Sequence, residues 1–176
     1  FLYLAMIDSD ADKSKFEILY SEYKNLMYYT ANRILRNSSD AEDAVHQAFL
    51  KVIEILDTIS SPRCHKTRAL LVTITEHKAI DLYREKQRRN VLPLAEEYIG
   101  AAPAAEIERL AERDTLAAAI ASLPPRYRSV LLLRYDCGYS TAEIAEILDT
   151  TEPNVRKLIQ RAREKLSAKL RGTEEP

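Results

Sequence analysis

Thr141-Ala142-Glu143-Ile144-Ala145-Glu146-Ile147-Leu148-Asp149-Thr150-Thr151-Glu152-Pro153-Asn154-Val155-Arg156-Lys157-Leu158-Ile159-Gln160-Arg161-Ala162-Arg163 is the stretch on which the reading of this chain turns. Its first part places Ile144, Ala145 and Leu148 on one side of a short helix. Asp149-Thr150-Thr151 reads as a tight turn, with Thr151 as the cap of a second helix. Pro153 falls in that helix's first turn, where its missing N–H costs little. Val155, Leu158 and Ile159 supply the second helix's apolar side, and small Ala145 lets the two helices cross closely. This is the spacing of a helix-turn-helix, whose second helix enters the major groove of DNA. The turn commonly has Gly where Asp149 stands; the position favours a left-handed backbone, which Asp tolerates.

The second helix carries a matching charge. Arg156, Lys157, Arg161, Arg163, Lys165, Lys169 and Arg171 outnumber Glu152 and Glu164. Such a surface suits phosphate contacts, which give affinity without sequence information. Asn154, Arg156, Lys157, Gln160 and Arg161 occupy the helix's leading half and are the candidates for contact with base edges.

Outward from this motif, the whole chain reads as all-α. Long stretches rich in Ala, Leu, Glu, Lys and Arg lie between a few Gly and Pro markers, which read as helix boundaries. Three Gly and seven Pro in 176 residues exclude collagen-like and low-complexity classes. Phe16, Leu19, Tyr20, Tyr23, Met27, Thr30, Ala31 and Ile34 fit one buried face of a first helix. Ser39-Asp40-Ala41-Glu42 is a capping-box pattern that opens a second helix, with Val45, Ala48, Phe49, Val52, Ile53 and Leu56 inward. A third runs from about Thr67 to Arg89, apolar first and basic later. Further helices are expected near Ala105–Ser122, Pro125–Cys137, Thr141–Leu148 and Glu152–Leu170. The expected organisation is a helical domain over 1–90, a tether over 91–105 and a helix-turn-helix domain over 106–176.

Other classes fall away. No apolar run approaches the roughly 18 residues that span a bilayer, and no signal-peptide pattern is expected. Cys64 and Cys137 are far apart, and with His46, His65 and His77 they make no four-ligand zinc motif. The simplest expectation is a cytoplasmic protein with reduced thiols, no metal and no cofactor. No nucleophile–base pair or phosphate loop is present in the pattern, so no catalytic residue is assigned and an enzyme is not expected. Asp40, Glu42 and Asp43 sit at a helix start, where dipole and capping roles account for them.

The order of motifs resembles bacterial RNA polymerase sigma factors of the small, extracytoplasmic-function (ECF) type. Leu123-Pro-Pro-Arg-Tyr-Arg-Ser-Val-Leu-Leu-Leu-Arg-Tyr135, the segment Gly138–Leu148 and the segment Asn154–Leu166 resemble sigma region 4. Asp40-Ala-Glu-Asp-Ala-Val-His-Gln-Ala-Phe-Leu-Lys51 and Ala79-Ile-Asp-Leu-Tyr-Arg84 resemble region 2. The resemblance implies a non-catalytic subunit that binds core RNA polymerase and directs initiation at promoters. Region 4 would place its recognition helix in the −35 element, and region 2 would bind the −10 element. An anti-sigma factor is a common partner of such proteins, so the resemblance implies that class of partner too.

Two further sets of residues follow. Asp43, His46, Gln47, Leu50, Lys51 and Glu54 fall on the face of the second helix opposite Val45, Phe49 and Val52. By resemblance Asp43, His46, Gln47, Leu50 and Lys51 are the candidate contact with a polymerase coiled coil; the family usually has Gln-Glu or Gln-Asp where this chain has His46-Gln47. His65, Lys66, His77, Lys78, Arg84 and Arg88 are the candidate −10 contacts, with loop Asp57–Lys66 expected to hold an extruded base. The net charge of −1 reflects acidic stretches such as Glu96–Glu97 that offset the basic helices. Weak DNA binding alone is therefore expected, with specificity when polymerase holds both domains at fixed spacing. The alternative is a free-standing helix-turn-helix regulator that binds DNA without polymerase. A helical adaptor or small helical enzyme is a more distant reading, with no catalytic pattern behind it.

Overall fold

A computed structural model of the chain describes residues 2–89 and 115–172. Its secondary structure among the described residues is entirely helical, as the residue pattern implies. The chain divides into two compact units, Phe1–Pro93 and Leu94–Pro176. The expected tether over 91–105, and the start of the helix expected from Ala105, lie outside the described residues.

The first unit is a bundle of three helices, α1 (Asp10–Leu35), α2 (Ser38–Glu54) and α3 (His65–Arg89). Ser9 caps α1 by accepting from Asp12 N–H, with Asp10 and Asp12 in the dipole-favoured first turn. Phe16, Leu19, Met27 and Ala31 of α1 have no solvent exposure, as their spacing predicts, while Tyr20 and Ile34 are half-buried. They meet Ala41, Ala44, Ala48, Phe49 and Val52 of α2 and Leu70, Leu71 and Ile74 of α3. Full burial of each large apolar side chain stabilises the bundle by about 1.5–3 kcal/mol. Small Ala31, Ala41, Ala44 and Ala79 pack together at one end, where the helices approach closely. Lys86 of α3 forms an ion pair with Asp40 in the first turn of α2.

The start of α2 corrects the sequence expectation. Asn37, not Ser39, is the cap: its side-chain oxygen accepts from Asp40 N–H at 3.0 Å, so Ser39 lies inside the helix. The third helix begins two residues before the expected Thr67. A 3₁₀ turn, Leu56–Thr58, leads out of α2, and buried Ile59 pins the loop that follows.

The second unit contains α4 (Thr115–Ala121), α5 (Pro125–Leu131), α6 (Thr141–Ile147) and α7 (Glu152–Gly172). Leu123, Val130, Leu133, Ile144 and Val155 form its buried centre. The single helix expected over Pro125–Cys137 is divided: after Leu131 it widens into a π-turn, Leu132–Asp136, closed by Cys137 N–H donating to Leu132 C=O at 2.9 Å. Gly138 then turns the chain with φ of 76°. Among the described residues no helix is long and apolar enough to cross a membrane.

Candidate nucleic-acid interface

The α6–α7 unit is fixed from its ends inward. Ser140 and Glu143 make a reciprocal capping box: Glu143 N–H donates to Ser140 Oγ at 3.1 Å, and Ser140 N–H donates to Glu143 Oε2 at 2.7 Å. This is the capping box that α2 lacks. At the other end of α6, Thr150 N–H donates to Ala145 C=O and Asp149 N–H to Glu146 C=O. Those two bonds form a Schellman motif, with Asp149 in the left-handed position at φ 53°. Thr151 caps α7 by accepting from Asn154 N–H at 3.3 Å. Thr141 Oγ1 donates to Glu152 Oε1 at 2.7 Å and so joins the first residues of the two helices.

This frame decides what α7 presents. Val155 and Ala162 are fully buried, while Leu158 and Ile159, on the same apolar side, are half-buried. Asn154, Arg156, Lys157, Gln160 and Arg161 are all exposed. They are not equally ready to meet a ligand. Asn154 Nδ2 donates to Thr150 Oγ1 at 2.7 Å, and Arg156 Nη2 donates to Glu152 Oε1 at 2.7 Å. Gln160 Nε2 contacts Glu164 Oε1 at 3.4 Å. Lys157 and Arg161 make no such bond among the described residues.

A cleft of about 500 Å³ runs along one side of α7, lined by Arg134, Arg156, Gln160, Arg163 and Arg171 with Glu164 as its acidic member. Four arginines against one glutamate make it strongly attractive to phosphate. Arg134 is the residue that sequence reasoning missed. The π-turn carries it, and Arg134 Nη1 donates to Tyr139 C=O at 3.1 Å. A π-turn leaves no periodicity signal in Leu131-Leu132-Leu133-Arg134.

In the first unit the candidate residues lie on two elements. His65 and Lys66 are exposed on the first turn of α3, His77 and Lys78 are half-buried in its middle, and Arg84 and Arg88 lie towards its end. At 1.5 Å per residue they form a track about 35 Å long rather than one pocket. His77 Nε2 lies 3.5 Å from Asp81 Oδ2. The loop before α3 is held from beneath: Tyr23 OH donates to Pro62 C=O at 2.7 Å, Arg63 pairs with Glu22 at 3.1 Å, and Thr67 Oγ1 donates to Ser61 C=O at 2.6 Å. Ser60, Ser61 and Arg63 remain exposed. Cys64 sits within this network, and its hydrogen bond with Thr67 holds the thiol below its usual pKa.

On α2, Asp43, His46 and Gln47 are exposed and Leu50 is half-buried. Lys51 departs from the expected face. It is only 5% exposed, with Nζ 3.2 Å from Glu54 Oε2, so it is part of the bundle's interior edge and not of the outer face. Its long aliphatic stem packs while the ammonium reaches Glu54.

Two family models cover these same units: sigma-70 region 2 matches residues 19–89, and sigma-70 region 4 matches residues 113–166. The chain belongs to the sigma-70 family. It is 28% identical over 172 residues to the ECF RNA polymerase sigma factor SigW of Bacillus subtilis, covering 91% of each chain. It is 27% identical over 154 residues to the ECF sigma factor SigL of Mycobacterium tuberculosis, covering 86% of each. A solved structure of CnrH in complex with the cytosolic domain of CnrY is 28% identical, with a TM-score of 0.41, over 91% of this chain and 89% of that one. The chain is thus a sigma factor of the ECF type. Sigma factors bind core RNA polymerase and promoter DNA and confer promoter-specific initiation, and this is the function of the chain.

Proposed function

We propose that the two units of this sigma factor read a bipartite promoter, one element each, while α2 docks on core polymerase. In this reading α7 enters the major groove of the −35 element, with Lys157, Gln160 and Arg161 directed at base edges. Asn154 and Arg156 join them once DNA displaces their internal partners. Arg134, Arg163 and Arg171 hold the flanking phosphates. The loop around Ser60–Arg63 and the first turn of α3, with His65 and Lys66, take the bases of the −10 element. His77, Lys78, Arg84 and Arg88 follow the strand along α3. The exposed Asp43, His46 and Gln47 and the half-buried Leu50 form the polymerase contact, from which Lys51 is removed.

The observation that carries the −35 assignment is the contrast along α7. Both ends of α6 and the start of α7 are capped or bridged, yet Lys157 and Arg161 stand exposed without protein partners among the described residues. A helix held that rigidly, with cationic side chains left uncommitted, is organised before its ligand arrives. The chain acts as a specificity subunit rather than a catalyst, which accords with the family's non-catalytic character. Footprinting of the assembled holoenzyme against the chain alone tests the reading. Protection of two separated elements that requires core polymerase supports it, and protection of one site by the chain alone overturns it.

A further inference from the structure

Leu2–Met6 form a 3₁₀ turn, and Ile7 behind it is buried. Tyr3 is set into a group of rings, with centroids 5.4 Å from Phe16, 6.1 Å from Tyr20, 5.8 Å from Phe49 and 5.4 Å from His46. Its hydroxyl lies 2.6 Å from His46 Nδ1. The contact spans 43 residues of sequence and ends on the exposed face of α2. Two large apolar side chains that flank Tyr3, Leu2 and Met6, are 76% and 54% exposed.

We infer that Tyr3 is a positioning residue for the polymerase contact: it fixes the His46 imidazole on the docking face of α2, and Leu2 and Met6 extend that face with an apolar margin. This inference rests on the assignment of the α2 face to core polymerase. A free surface histidine rotates about two side-chain bonds and exists in two tautomers. Stacking on Tyr3 and a bond at Nδ1 remove most of that freedom. Burial pushes the Tyr3 hydroxyl above its ordinary pKa, so it remains a proton donor. When it donates to Nδ1, the ring proton resides on Nε2, and the histidine offers a partner one N–H in one orientation. A group ordered beforehand loses less entropy on binding. The exposed apolar pair beside it suits the same occupant, a polymerase helix laid against α2, because apolar area at an interface gains from removal from water.

The test compares core-polymerase affinity of the chain and its variants by fluorescence titration. Tyr3→Phe keeps the ring and removes the bond, and should weaken binding about five-fold. His46→Ala in the Tyr3→Phe background should add little, giving a double-mutant coupling in polymerase binding. The pair should also couple in urea unfolding of the free chain, where the bond already exists; a purely structural bond would couple there and leave no coupling in polymerase binding. Leu2→Ser together with Met6→Ser, both at exposed positions, should weaken binding several-fold without moving the unfolding midpoint. Wild-type affinity in all these variants, with weakened binding by Leu50→Asp, overturns the inference and leaves the α2 assignment standing. Wild-type affinity in Leu50→Asp as well overturns both.

Discussion

Thr141 and Glu152 open the two helices of the helix-turn-helix, and a 2.7 Å hydrogen bond joins them. The same glutamate oxygen also accepts from Arg156 at 2.7 Å. One carboxylate therefore ties the starts of the two helices together and restrains an exposed cation of α7. Thr141→Val removes the first bond at nearly constant volume. It should destabilise the second unit by about 1 kcal/mol. The measurement is urea unfolding followed through the amides of Ile144 and Val155; an unchanged midpoint would show that the bond contributes nothing net.

The left-handed turn gives a second expectation. Asp149 holds a φ of 53°, where a side chain costs energy and β-branching costs most. Asp149→Val should lower stability by roughly 1–2 kcal/mol and broaden the amide signals of α6 and α7. Thermal unfolding of the variant checks it, and a wild-type melting temperature would contradict the turn as described.

Arg161 is exposed and uncommitted on α7. Arg161→Ala should reduce transcription that depends on the −35 element by roughly ten-fold or more, the effect of losing one base-directed arginine. Folding should be unaffected. Equal initiation by wild type and variant would remove Arg161 from the site.

Leu50 stands half-buried on the outer face of α2, among exposed His46 and Gln47. Leu50→Asp should sharply reduce co-elution with core polymerase while the helical circular-dichroism spectrum is retained. Normal co-elution would move the contact to another surface.

Cys64 and Cys137 should differ in reactivity. The Thr67 hydrogen bond lowers the Cys64 pKa, so its thiolate forms at a lower pH than that of an ordinary cysteine. Cys137 is 4% exposed. Mild alkylation should therefore label Cys64 first, and Thr67→Val should shift the pH profile of labelling upwards. Equal labelling of both thiols in the native chain would contradict this.

The helix-turn-helix was legible because its signals are local. Asp149, Thr151 and Pro153 each act within a few residues of their own position, and each does in the structure what its chemistry demands. The cap of α2 was less legible. Asn37, Ser38, Ser39 and Asp40 are all good capping residues, and only packing of Ala41 and Ala44 into the core selects the register. Lys51 reads as exposed from its charge, whereas its aliphatic stem packs at the bundle edge. Arg134 and Tyr3 were invisible for different reasons. A π-turn in a run of leucines has no sequence mark, and a five-residue 3₁₀ turn has no period to detect. The partner of Tyr3 lies 43 residues away, which only the tertiary fold brings near.

This chain supplies promoter choice to core polymerase. Reconstituted run-off transcription tests it most directly. Core polymerase with the chain should produce a transcript of defined start at a promoter bearing both elements, and core alone should not. Failure of the mixture to initiate there, with tight sequence-specific DNA binding by the chain in the absence of polymerase, would contradict the account.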